Sequence, residues 1–395
     1  VHLREIRADD NEIASLDAVY QIDGLLKLRL RRNKLTTVDF ANSRLQRLED
    51  LDLCENEITS VHGLESLTLL KQLKLDGNRL DRAPSLEKEL PHIQRLSLQE
   101  CGLQELDVSS MPALRIVQVD GNSLRRIDGI ETLKSLDTLS IRSQKLSAGF
   151  TISVLAQTNQ ARTINLSGND ISTLCDLVPL LSLQHLEMAS VGLETLPDDF
   201  GIRLPNLKTL NINFNSLRDI RPLLNIQQLE HLELCGNRIG RLRKSIATFS
   251  RMPSLTSLDL RDNPLTQGFY VPPGTISSSN PPVPVPSSIV PRTSQMQGFF
   301  GLDDTSDEDC TREGSTAARF RLLPVDLAAD KHHHTRLDAE TKLRRRVHHV
   351  LLATSCPKLA HADGLVFDKN NAMVKDEVWT RLVELGIMRK SGEAV

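Results

Sequence analysis

Aromatic residues are scarce in this chain. They make up 3% of its 395 residues, with one tryptophan and two tyrosines. That argues against a surface that stacks nucleic-acid bases. An excess of one charge sign is lacking too: the net charge is −3 and the pI about 6.4. Neither nucleic acid nor an anionic membrane is therefore an expected partner. No apolar run approaches the ~18–20 residues of a membrane-spanning helix, and no signal peptide opens the chain. The six cysteines (Cys54, Cys101, Cys175, Cys235, Cys310 and Cys356) form no C-x-x-C pair and no cluster. Buried free thiols in a reducing intracellular compartment are expected. Phosphate-loop, nucleophile-elbow and zinc-protease motifs are missing. Asp198–Asp199 sits in a turn-like segment without a histidine or nucleophile nearby. His332, His333 and His334 are adjacent and have no partner at ligand spacing, so they do not point at one ion. No catalysis, metal or cofactor is expected.

What is present is a repeat. Leu229 to Ile239 reads LEHLELCGNRI, so Leu229, Leu232, Leu234, Asn237 and Ile239 spell L-x-x-L-x-L-x-x-N-x-I. That is the strand-and-turn signature of a leucine-rich repeat. Aligned on Asn237, the anchors are Asn11, Asn33, Asn56, Asn78, Cys101, Asn122, Gln144, Asn169, Val191, Asn215, Asn237 and Asn263, spaced by 21 to 26 residues. One repeat cannot bury its own leucines, so the copies must stack. The expected fold is an α/β repeat: a solenoid of about twelve repeats, with a parallel concave sheet and a 3₁₀ or helical convex side. Inward asparagines carry both a donor and an acceptor, and a stacked ladder of them pairs the turn groups of adjacent coils. Gln144 and Val191 depart from the motif, and their flanking spacings are long. The solenoid is therefore expected to be least regular between about 140 and 200, with extra convex structure around 147–160.

Strand residues between the inward leucines face outward on the concave side, where a protein-docking surface is expected. Near the start they form a basic cluster, Arg7, Lys27, Arg29 and Arg31, followed by Asp50 and Asp52. Toward the end they are His185, Glu187, Asn211, Asn213, His231, Glu233, Asp259 and Arg261, with Phe214 beside them. Three regions follow: a solenoid over 1–268, a Pro/Ser/acidic flexible insertion over 269–318, and a helical C-terminal cap over 319–395. Such an insertion buries too little apolar surface to offset its ordering entropy. Within it, Thr305 and Ser306 precede Asp307, Glu308 and Asp309, which makes them candidate phosphosites for acid-directed kinases. In the cap, Leu343, Val347, Val350 and Leu351 mark one helical face, with a start near Thr335-x-x-Asp338. Arg344, Arg345 and Arg346 fan around that helix and read as a solvated face. A second helix carries Val374, Val378, Leu382 and Leu385 on one face, with Trp379 beside it and Gly386 as its stop. The pair is expected to cover the last repeat's apolar end.

The tail carries a resemblance. A helix followed by Pro357 and Leu359 and then Asp363–Gly364 is similar to the C-terminal cap of short-repeat intracellular leucine-rich proteins, with Ala362 at the usual apolar position. The segment Asp376-Glu377-Val378-Trp379, with Leu382 and Gly386, resembles the fungal spindle-pole-body scaffolds of the septation initiation and mitotic exit networks. The Pro/Ser insertion fits as well, and the resemblance extends over roughly 200–395. It implies a non-catalytic scaffold, in the cytoplasm and cytoskeleton at the spindle pole body. This chain, opening in mid-pattern at Val1, would be the anchoring half of a longer protein, bound to a coiled-coil pole-body anchor. GTPase regulators and a kinase–activator pair would be held largely through a preceding half. The rival expectation is a regulatory subunit of a protein phosphatase.

Overall fold

The computed structural model describes residues 3–84, 86, 88–146, 152–171, 173–271, 320, 322 and 324–388. Thr305 and Ser306, and most of the Pro/Ser/acidic insertion, lie outside them. Twelve three-residue strands form the concave sheet: Glu5–Arg7, Lys27–Arg29, Asp50–Asp52, Gln72–Lys74, Arg95–Ser97, Ile116–Gln118, Thr138–Ser140, Thr163–Asn165, His185–Glu187, Thr209–Asn211, His231–Glu233 and Ser257–Asp259. They pair in parallel and in chain order. Each central residue faces its counterpart, so Leu28, Leu51, Leu73, Leu96, Val117 and Leu139 stack in one row. Ile164, Leu186, Leu210, Leu232 and Leu258 continue it. All are buried in a single apolar core. The α/β leucine-rich repeat solenoid expected from the spacing is the fold observed.

The convex side follows the apolar pattern. Leu64–Ser66 and Ile130–Thr132 are single 3₁₀ turns, each preceded by a left-handed glycine, Gly63 or Gly129. A Cβ on Gly63 would stand 2.2 Å from the backbone nitrogen of Ala41, so only glycine fits there. Later repeats carry helices instead, at Phe200–Arg203 and Leu242–Phe249. Two short parallel strand pairs on the same side, Thr37–Asp39 with Ser60–His62 and Glu105–Asp107 with Arg126–Asp128, are not visible in the apolar pattern.

The residue before each anchor is left-handed in all twelve repeats, from Asp10 (φ 58°) to Asp262 (φ 55°). Glycine fills it only at Gly77, Gly121, Gly168 and Gly236. The anchors satisfy the turns. Asn237 Nδ2 donates to Ile212 O of the preceding coil at 2.9 Å and to Leu234 O at 3.0 Å, while its Oδ1 accepts the Leu217 N–H at 3.1 Å. Asn33, Asn56, Asn78, Asn122, Asn169, Asn215 and Asn263 are buried in the same way. Asn11 differs: it is exposed and donates within its own turn to Asp9 O.

The expected irregularity between 140 and 200 does not reach the sheet. Gln144 spans the extra length and makes the asparagine bonds, from Nε2 to Val119 O at 2.9 Å and from Leu124 N–H to Oε1 at 3.0 Å. At Val191, which has no polar side chain, its own backbone carbonyl takes the Ile171 N–H at 2.9 Å. Cys101 Sγ donates to Leu75 O and Gln99 O, and burial pushes its pKa up to about 12, so it keeps the proton it donates. The convex side of this stretch carries a longer 3₁₀ helix, Ile152–Gln157.

Past the array, the hairpin strands His361–Ala362 and Leu365–Val366 extend the sheet, with Ala362 opposite Leu258. Its Asp363–Gly364 turn is left-handed at both residues, the geometry for which Asp-Gly is the preferred pair. Asp363 is fully buried and joins three elements. Its carboxylate accepts from Leu260 N–H and Tyr270 O–H, both at 2.7 Å, and lies 3.3 Å from His348 Nε2. Burial alone would raise its pKa; His348, Tyr270 and the Leu260 N–H hold it below the ordinary carboxylate value.

The tail helices differ in detail from the expectation. Leu327–Arg336 and Ala339–Ser355 are separate, and Asp338 caps the second by accepting the Thr341 N–H; Thr335 belongs to the first. Arg345 is not solvated. It is buried, pairs with Asp330 at 2.7 Å and lies over the Tyr270 ring at 4.6 Å. Arg346 pairs with Asp376, which caps the last helix, Glu377–Glu384. There Trp379 and Leu382 are buried, whereas Val374 and Leu385 are exposed. Among the described residues Cys54, Cys101, Cys235 and Cys356 are buried free thiols, but Cys175 is exposed.

Candidate functional site

The concave face is built from three side-chain columns. Two hold the first and third residues of each strand; the last lies two residues further on, just before the left-handed turn. Strand alternation aims all three away from the core. In the last column a further ladder appears that the motif does not advertise. Asp9, Asp76, Asp120, Ser167 and Asn213 each accept the N–H of the same-column residue in the next repeat: Arg31, Gln99, Arg142, Ala189 and Cys235. Short acceptors there replace the strand pairing that the turn interrupts. The recurrence of Asp, Ser and Asn two positions before the anchor was the available signal.

At the start of the array the expected basic cluster is a set of ion pairs. Arg7 pairs with Glu5 at 2.5 Å and Lys27 with Asp50 at 3.7 Å; Arg29 pairs with Asp9 at 2.6 Å and Arg31 with Asp52 at 2.7 Å. The last pair is nearly dry, with side-chain exposures of 3% and 13%. Burial alone would raise Asp52, but Arg31 holds it below the ordinary value. Asp76 faces no arginine across the repeat. Its donors are Ser97 Oγ, the Gln99 N–H and, at 3.6 Å, Cys54 Sγ, and burial outweighs them, lifting its pKa to about 6. Asp120, two repeats on, does have an arginine, Arg142 at 2.8 Å.

The second half of the face is different. Glu187, Asn211, Asn213 and Arg261 are buried; His185, His231, Glu233 and Phe214 are half-buried. Burial, with Lys208 and His231 nearby, lowers the pKa of His185. Phe214 occupies a left-handed turn (φ 55°), and its ring covers Gly236, where a Cβ would meet it at 2.6 Å. Asn211 Nδ2 donates to Glu187 Oε2 at 3.2 Å, and Asn213 Nδ2 to Glu233 Oε2 at 2.9 Å. Arg261 is clamped by Asp259 at 2.6 Å. These residues come together as one polar strip. The four basic residues of the first repeats lie at the opposite end of the same sheet and do not join it.

The stacked repeats define the fold as a leucine-rich repeat solenoid, and residues 23–80 and 205–265 match the leucine rich repeat family model. The chain is similar to the septation initiation network scaffold protein cdc11 of Schizosaccharomyces pombe, 34% identical over 238 residues, which are 60% of this chain and 22% of that protein. The resemblance drawn from the sequence is borne out by that match. The human leucine-rich repeat-containing protein 23 is 28% identical over 244 residues, 61% of this chain and 62% of the relative. The chain thus spans only part of each relative. Among solved structures, the Drosophila Toll–Spatzle complex shares the fold, at a TM-score of 0.55 and 20% identity, covering 66% of this chain and 38% of that one. A solenoid of this kind, with a relative named as a scaffold, is a non-catalytic protein-interaction fold. No helix among the described residues is long and apolar enough to cross a membrane.

Proposed function

We propose that this chain is the anchoring and docking part of a septation-initiation or mitotic-exit scaffold, held at the spindle pole body by a coiled-coil protein. GTPase regulators and a kinase–activator pair are the signalling partners proposed for the assembly. The observation that carries the reading is the 34% identity to a septation initiation network scaffold over 238 residues of the chain. The concave strip from Glu187 to Arg261 supports protein docking, because its polar side chains are fixed by the array before any partner arrives. Candidate contacts at the other end are Arg7 and Lys27, the more exposed members of its ion pairs.

The test is localisation of the fluorescently tagged chain in dividing fungal cells. A focus at each spindle pole is expected. A diffuse nuclear signal, with a protein phosphatase recovered on affinity capture, would replace this reading with a phosphatase regulatory subunit.

A further inference from the structure

The polar strip of the concave face already holds a peptide. Phe320, Leu322 and Val325 lie along it, from the eighth repeat to the cap. The Phe320 ring sits where a Cβ on Gly168 would stand, 2.7 Å from its Cζ. Phe320 O accepts from Asn211 Nδ2 at 3.4 Å and from Asn213 Nδ2 at 3.1 Å. Leu322 O accepts from Arg261 Nη2 at 3.3 Å, and Val325 N–H donates to Gly364 O at 3.1 Å.

Three features make this a built seat. First, the two amides are buried and fixed from both sides. Glu187 and Glu233 hold their Nδ2 atoms, while Asn211 Oδ1 takes the Asn213 N–H at 3.0 Å and Asn213 Oδ1 takes the Cys235 N–H at 2.7 Å. Their remaining amide hydrogens converge on one carbonyl oxygen, and a buried donor left without an acceptor is costly. Second, the carbonyls read are those of residues 320 and 322. Both are backbone groups, so the seat recognises main chain. Third, one position selects a side chain by shape: the bare Gly168, left-handed at φ 75°, leaves room for an aromatic ring.

Among the described residues the hydrogen bonds to the strap are long, 3.1 to 3.4 Å, at the weak end of the N–H···O range. A segment from another molecule with the same features can compete for the seat. We propose that this strip is a binding site for a peptide segment of a partner protein bearing an aromatic residue, and that the chain's own Phe320 and Leu322 occupy it as a competing internal ligand. The proposal rests on the concave face being the docking face and is independent of where the protein localises. A tethered occupant lowers the apparent affinity for a partner by the fraction of molecules in which the seat is open.

The probe is a fluorescein-labelled synthetic peptide with the sequence of residues 318–326, titrated by anisotropy against the intact purified chain. The Phe320→Ala chain is expected to bind it at least tenfold more tightly than the unaltered chain. On that background, Asn213→Asp keeps the acceptor for Cys235 N–H but removes the donor. It should cost at least tenfold in affinity; because it also sets a carboxylate against Glu233, the titration is run well below the variant's own cooperative melting temperature. A peptide with alanine in place of its phenylalanine should not bind. Equal affinity for the two chains would overturn the proposal, as would binding indifferent to Asn213→Asp. So would an unaltered chain that is a dimer and becomes a monomer on Phe320→Ala, because the occupant would then be a second copy's strap. A failure of pole localisation leaves this titration readable, since it uses purified components.

Discussion

The two ends of the concave sheet share a backbone and differ in how they treat charge. At the first repeats, each basic side chain meets a carboxylate on its own or a neighbouring strand. At the last repeats, buried amides and a clamped arginine are aimed at a passing peptide. A cluster read along the sequence as positive is neutralised in space. A set read as mixed polar residues is organised toward a ligand. Charge one repeat away, about 22 residues off in sequence and ~4.8 Å off in space, decides what a side chain on such a face presents.

The comparison holds only if the core beneath both ends is common. Leu51→Asp and Leu232→Asp each place an unpaired charge in the stacked row. Both are expected to abolish cooperative melting, at a cost on the order of 5 kcal/mol or more. A soluble, cooperatively melting Leu232→Asp chain would show that the register is wrong. Next in size is Asp363→Ala, which strips the acceptor from Tyr270, Leu260 N–H and His348 in the dry seal of the last repeat. A loss of about 3–5 kcal/mol is expected, read as a lower melting temperature with hydrogen exchange rising first at the C-terminal repeats.

Within the first repeats the ion pairs should separate by burial. Arg31→Ala leaves Asp52 in a nearly dry site and is expected to cost about 3 kcal/mol. Lys27→Ala, at a largely exposed pair, should cost about 0–1 kcal/mol and less in high salt. Equal losses in denaturant melts would erase the distinction between the pairs.

Acid sharpens the contrast by sign. The Asp76 pKa is raised from 3.8 to about 6, so the folded state takes up a proton first and gains stability as pH falls from about 6 toward 3.8. His349, in the cap, is lowered from 6.5 to about 3 by burial and the neighbouring His348. The unfolded state protonates first there, so stability is lost as pH falls below 6.5 toward 3. Asp76→Asn should therefore steepen the loss of melting temperature between pH 7 and 5, and His349→Phe should flatten it. The opposite pattern would mean that the two environments have been exchanged.

The solenoid was legible because its cause is periodic. Leucines every two or three residues, reset by an anchor every 21 to 26, leave one way to bury them. Glycine and aspartate signals at Gly386 and Asp363–Gly364 were legible for local backbone reasons. Partners from distant sequence were not. The ion pairs of Arg29 and Arg31 depend on which residue falls opposite in another repeat. The buried Arg345 depends on Asp330 and Tyr270 standing at one place. The strap carries no period at all: one phenylalanine after a long Pro/Ser stretch gives no hint that it returns to Gly168. Gln144 and Val191 show the converse, two breaks in the pattern that leave the sheet undisturbed, one absorbed by a longer amide side chain and one by a backbone carbonyl.

The seal at Asp363 also sets a schedule. Tyr270, its array-side partner, lies 93 residues earlier in the chain. At about 5–20 residues per second on the ribosome, roughly 5–20 s separate the synthesis of the two. Twelve repeats are complete in that interval while the twelfth still shows its apolar edge to the cell. The newborn chain thus passes through a window in which the end of the molecule fitted last is the one most open to chaperones and to other nascent copies.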